Sequence, residues 1–85
     1  MDQSIIRKAC LQPASLAWPQ PSGEEVRELL RRAGFTGGQA ARKLGLGERG
    51  DRTVRRWISE ESAIPYACWA LLADFAGFGP IWKAD

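Results

Sequence analysis

Histidine is absent from this chain, cysteine occurs only twice, and no apolar run is unbroken for long. Each shortage removes a class of function. Without histidine, and with Cys10 and Cys68 58 positions apart and outside any C-x-x-C spacing, a zinc site would lack ligands, so no metal and no cofactor is expected. One disulfide is compatible with the pair. Residues 1–11, however, lack the sustained apolar run of a signal peptide, which makes a reducing cytoplasm the expected location and both cysteines inert thiols, Cys68 as a small buried apolar residue. Enzymatic signatures are also missing: there is no histidine base, no G-x-S-x-G and no phosphate-binding glycine loop, while Glu24, Glu25 and Glu28 fit first-turn charges that complement a helix dipole. A membrane span over 64–82 is broken by Pro65, Gly77, Gly79 and Pro80, leaving about 12 helical residues where roughly 20 are needed.

What is there suits one small helical domain. A core drawn from 85 residues leaves only about 3 to 5 kcal/mol of net stability, and with metal and disulfide set aside, association with a second subunit is the remaining source of more. The net charge is only +2, but its distribution is uneven. Between positions 42 and 56 six cations (Arg42, Lys43, Arg49, Arg52, Arg55, Arg56) face only Glu48 and Asp51, a surplus of four positive charges on one segment.

Punctuation divides the chain into 1–21, 22–62 and 63–85. Pro13, Pro19 and Pro21 make the first part an arm with at most one short helix over 4–11, in which Ile5, Ile6, Ala9 and Cys10 would share a side. Arg7 and Lys8 would let that arm touch a phosphate; covering the core or adding to a dimer are its other two roles. Ser22 and Glu25 form an S-x-x-E capping box, Gly34 closes the helix, and Val26, Leu29, Leu30 and Ala33 follow a buried helical stripe, with Arg27, Glu28, Arg31 and Arg32 facing water. Thr36 and Gln39 repeat the box for a second helix that ends at Gly45 and buries Ala40, Ala41 and Leu44. Asp51 is a good cap for a third helix over 52–59 with Val54, Trp57 and Ile58 inward and Arg52, Thr53, Arg55 and Arg56 outward. Two short helices joined by glycines, the second studded with arginines on a small apolar base, are how a helix-turn-helix reads in sequence.

On Thr36, Ala41, Gly45, Leu46, Thr53, Val54, Arg56 and Trp57, residues 22–77 resemble the Cro/C1-type (XRE) helix-turn-helix regulators. The resemblance implies an all-α bundle of four to five helices with an N-terminal arm, residues 22–62 being the DNA-binding core. It implies a sequence-specific repressor whose partner is a double-stranded DNA operator, and, through the family's small plasmid-borne members, that the sites are plasmid operators from which RNA polymerase is excluded. Carried over position by position, it gives base contacts to Arg52 and Arg56, one turn apart, with Thr53 against a thymine methyl or a phosphate and Arg55 in either role; an arginine paired bidentately with guanine contributes about 1 to 3 kcal/mol of discrimination. Arg42, Lys43 and Arg49 would contact phosphates. Two departures stand out. The turn before Val54 is three residues longer than the family's, making Glu48, Arg49 and Gly50 an insertion, and Gly37 replaces a polar phosphate-binding residue. The missing contact then falls to Thr36, Gln39 or the helix amides, or is lost.

The last part, 63–85, begins with Ile64-Pro65, the proline suiting the first turn of a helix that runs to Gly77 with apolar residues in nearly every direction and Asp74 as its only charge. One side can pack on the other helices; another is left over. Tyr66, Trp69, Leu72, Phe75, Phe78, Ile81 and Trp82 are therefore expected at a homodimer seam. A two-fold dimer would meet successive major grooves about 34 Å apart and so require an inverted repeat. The alternative is a protein-binding regulator, an antiactivator or antitoxin, that keeps the fold and grips another protein through this apolar end.

Overall fold

A computed structural model describes residues 5–83. Among them are four α-helices, α1 (Gly23–Ala33), α2 (Gly37–Lys43), α3 (Gly50–Ser59) and α4 (Tyr66–Phe75), preceded by a 3₁₀ turn at Lys8–Leu11; no strand occurs among the described residues. The all-α class expected from the sequence is what the chain adopts. α2 packs chiefly on α3, and both α3 and α4 pack on α1.

Local chemistry sets most of the boundaries. At α1, Ser22 Oγ accepts from the Glu25 N–H at 3.1 Å while the Ser22 N–H donates to Glu25 Oε1 at 2.7 Å, and Gly34 closes the helix at φ +77. Thr36 and Gln39 make the same reciprocal pair at α2, at 2.9 and 3.1 Å. Two expected boundaries move. α3 begins at Gly50 rather than Arg52, with Arg49 as a cap residue whose side chain makes no capping bond, so Asp51 sits inside the first turn and is not the cap. Pro65 stands just before α4 in extended conformation, supplying its carbonyl to the Trp69 N–H at 3.0 Å, instead of lying within the first turn.

The core gathers Val26, Leu29 and Leu30 of α1, Ala40 and Ala41 of α2, Val54 and Trp57 of α3, and Trp69, Ala70, Leu72 and Ala73 of α4, with Ile64 and Ile81 at the flanks of α4. Burying each of the larger side chains contributes about 1.5 to 3 kcal/mol. Ala33 is only half-buried, and Glu28 is not a solvent-facing charge: it is shielded beneath Arg31 and Arg32, which donate to it at 2.6 and 2.7 Å.

Residues 5–21 are not a free arm. Ile6 and Cys10 are buried, whereas Ile5 and Ala9 are exposed, because the short 3₁₀ turn does not align the four as an α-helix would. Ser4, where that helix was expected to begin, lies outside the described residues. The Cys10 carbonyl accepts two indole N–H groups, from Trp18 at 3.0 Å and from Trp69 at 2.8 Å, and Tyr66 Oη donates to the Gln12 carbonyl at 2.8 Å while its ring meets Trp18 edge-on. The segment is thereby fastened to α4. It is fastened to α1 by Arg7, whose backbone N–H, Nε and Nη2 reach the Glu25 carboxylate at 2.8, 3.0 and 2.8 Å. Within the chain, then, this segment covers part of the core.

Glu25 thus serves the α1 cap and the N-terminal segment at once, with its side chain only 2% exposed. Burial pushes its carboxyl up, but the Arg7 side chain and the Arg7 and Ser22 N–H groups outweigh that and hold it at about 2, below the usual 4.5. Next to it the Cys10 thiol, raised by burial and by the Glu25 charge to about 11, remains protonated. Cys10 is the fully buried cysteine, Cys68 is half-buried, and both are free.

Because the folded carboxyl ionises more readily than the unfolded one, its contribution is complete above about pH 4.5 and is lost as pH falls toward about 2. It is on the order of 2 kcal/mol once the half-exposed Arg7 is allowed for. Glu28, held near 2 by Arg31 and Arg32, titrates with the same sign. Urea unfolding followed across this range should show Glu25→Gln less stable than the parent at pH 6 and with a flatter pH dependence; equal slopes would remove Glu25 from the acid transition.

Candidate nucleic-acid interface

The α2–α3 pair is built on a backbone contact. Gly45 and Gly47, at φ +70 and +85, turn the chain after α2, and the Leu46 N–H donates back to the Ala41 carbonyl at 3.0 Å. Gly50 then opens α3 in the space against Ala41. A Cβ on Gly50 would lie 2.7 Å from Ala41 Cβ and 2.6 Å from Leu46 Cβ, closer than carbon atoms approach. The supposed insertion of Glu48, Arg49 and Gly50 therefore contains the residue that lets the two helices meet.

With α3 seated there, its helical phase is fixed. Val54 and Trp57 point into the core, Thr53 and Ile58 are half-buried, and Arg52, Arg55 and Arg56 are exposed. The three arginines, with Ser59 and Glu61, line one shallow open groove. Among the described residues only Arg56 of the three has an internal counter-charge, Glu61 at 3.8 Å, beyond hydrogen-bond length and with both side chains more than half exposed. Arg42 joins a neighbouring groove between α2 and α3 lined also by Gly38, Ala41, Gly47, Glu48 and Asp51. Lys43 and Arg49 are exposed beside it in sequence, and Thr36 and Gln39 are exposed at the start of α2, committed to their capping pair. Among the described residues no cluster of His, Cys, Asp and Glu could hold a metal ion, and no helix is long and apolar enough to cross a membrane.

Sequence comparison places this geometry in a family. Over 78 residues, 92% of this chain and 91% of the relative, the sequence is 67% identical to the transcriptional repressor protein KorC of Escherichia coli. A second protein of the same name and organism is 65% identical over 85 residues, all of this chain and 99% of the relative. The chain belongs to the KorC family of transcriptional repressors. No protein-family model matches it, and no solved structure matches it.

In this KorC-family chain only some of the residues expected at a dimer seam lie at the surface. Trp69, Leu72 and Ile81 lie in the chain's own core and offer no surface. Tyr66 is half-buried against Trp18, and Phe78 is half-buried with the Arg32 guanidinium 5.6 Å from its ring centre. Phe75 and Trp82 remain exposed, joined by Leu71, which sequence reasoning left out of the seam. Its signal was the i, i+4, i+8 spacing of Ala67, Leu71 and Phe75, which puts all three on one uncovered side. An open groove of almost wholly apolar lining runs between Tyr66, Ala67, Ala70, Leu71 and Trp82.

Gly50→Ala should lower stability by about 1 to 3 kcal/mol through overpacking, and by more than Ala substitution at half-buried Gly38 does. Urea unfolding of both variants beside the parent chain measures the difference. An unchanged midpoint would mean that α2 and α3 do not meet at Gly50.

Proposed function

We propose that this chain represses transcription by occupying a DNA operator, with α2 and α3 acting as a helix-turn-helix of the Cro/C1 type. The observation that carries the reading is the outward trio Arg52, Arg55 and Arg56 on a helix whose opposite side is locked into the core by Val54 and Trp57. A short cationic helix on a rigid base fits the major groove, where guanine offers two acceptors to one guanidinium. Arg52 and Arg56 are assigned to base edges, Thr53 to a thymine methyl or phosphate, and Arg55 to either. Arg42, Lys43 and Arg49 are assigned to phosphates, together with the Thr36 hydroxyl and the Gln39 amide N–H groups, which the capping pair leaves available. Residues 22–62 carry these contacts and 63–85 carry self-association. The plasmid operators implied by the family resemblance and a cytoplasmic location, supported by two free cysteines, complete the proposal.

The homodimer in this proposal is supported by the exposed apolar side of α4 and by Trp82 beyond it. Leu71, Phe75 and Trp82 are each more than two-fifths exposed, which a small soluble domain tolerates best when a second copy covers them. Two copies would present two α3 helices to an inverted repeat. The competing reading, a protein-binding regulator that uses the same apolar side on a different protein, predicts that the arginines of α3 are dispensable.

On an operator duplex found by footprinting, Arg52→Ala and Arg56→Ala should each cost about 1 to 3 kcal/mol and relax preference at one base pair. Arg42→Ala should weaken all duplexes alike and reduce a salt slope near −5 by about one. Unchanged operator affinity in both arginine variants of α3 favours the protein-binding alternative. Separately, light scattering should give a dimeric mass for the parent chain and a monomeric mass for Leu71→Glu and Phe75→Glu; a monomeric parent rejects the dimer.

A further inference from the structure

α3 ends in a joint that the assigned contacts do not explain. Glu60, immediately after the helix, has φ +67 and is the only non-glycine residue at positive φ among the described residues. Glycine or asparagine adopts that conformation more readily than glutamate, so the backbone alone gives no reason for a glutamate there. The side chain supplies one. Glu60 Oε2 accepts from the Gly23 N–H at 2.6 Å, at the N-terminus of α1, where the helix leaves backbone donors unpaired and favours negative charge. Gly23 is buried, and a Cβ on it would collide with the Ile58 carbonyl, so the start of α1 and the end of α3 are in direct backbone contact. α1 already has a complete capping box from Ser22 and Glu25. The Glu60 carboxylate therefore joins two helices rather than starting one.

We propose that Glu60 is a positioning residue for DNA reading, its carboxylate fixing the C-terminal end of α3 against α1 and so setting the angle at which Arg52 and Arg56 are presented. This rests on the DNA-binding reading given above. A rod needs two fixed points to hold its direction; Gly50 on Ala41 is one, and Glu60 on Gly23 is the other. At 1.5 Å per residue α3 is about 15 Å long, so releasing its far end by about 1 Å tilts it by about 4° and moves Arg56 by about 0.6 Å. Base-edge pairing is lost with errors near 0.5 Å, whereas long cations on phosphates adjust. Discrimination should fall while non-specific affinity stays.

The test compares the full chain with Glu60→Gln, Glu60→Gly and Glu60→Asn, measuring thermal midpoint and affinity for the footprinted operator and a scrambled duplex, with Arg52→Ala in parallel. Glutamine keeps an oxygen at the same reach and should hold the operator-to-scrambled ratio within about threefold. Glycine and asparagine suit the backbone but cannot reach Gly23. They should keep the midpoint within about 3 °C and lower the ratio about tenfold, with scrambled affinity unchanged. If Arg52→Ala loses discrimination while the glycine and asparagine variants keep it, the positioning role is overturned and DNA reading stands. A ratio that falls only in step with the midpoint in all three variants also overturns it. If Arg52→Ala keeps its ratio, the DNA-binding reading fails first.

Discussion

The contact of Gly50 with Ala41 governs everything this chain presents to solvent on its basic side. Two helices can approach to backbone distance only where neither carries bulk, and here one residue has a single methyl and the other none. Once α3 is seated at that point, the 3.6-residue period does the rest: Val54 and Trp57 are driven into the core, and Arg52, Arg55 and Arg56 must face away from it. The cationic groove is a consequence of packing on the opposite side of the same helix. Rigidity of the base is what allows long, flexible side chains to be aimed.

The rest of the molecule compensates for how little core 85 residues provide. The N-terminal segment, rich in proline and poor in regular structure, adds Ile6, Cys10 and Trp18 to the helices and is held by polar contacts that leave no buried side-chain polar atom unpaired among the described residues. The Cys10 carbonyl uses both its lone pairs on indoles from different parts of the chain. Glu25 is ionised inside the fold because three N–H groups of Arg7 and one of Ser22 surround it, replacing the water it loses. A buried carboxylate so satisfied ties a segment of weak intrinsic preference to a strongly helical one.

Membership of the KorC family and the exposed arginines bear on function in different ways. The relatives supply a class, transcriptional repressors, at an identity that leaves little room for a different fold. The geometry supports the proposed means, an exposed row of guanidinium groups with one distant counter-charge among the described residues. The apolar side of α4 is smaller than the sequence suggested, since Trp69, Leu72 and Ile81 are consumed by the chain's own core and the N-terminal segment covers Tyr66. What remains is the stripe from Ala67 to Phe75 with Trp82.

Both capping boxes, the glycine that ends α1, the buried Val26, Leu29 and Leu30 of α1 and Val54 and Trp57 of α3, and the outward set of cations were determined by the sequence alone, because caps and helical periodicity act between residues a few positions apart. The tertiary structure decided what depends on partners distant in the chain. Gly50 reads as part of an insertion until Ala41 is opposite it. Asp51 reads as a cap until Gly50 is drawn into the helix by that contact. Trp69 reads as an interface residue until its indole meets the Cys10 carbonyl 59 positions away, and nothing near Glu60 in the sequence marks its carboxylate as the partner of Gly23, 37 positions away. No local pattern encodes these pairings, since each is fixed only when the helices have chosen their neighbours.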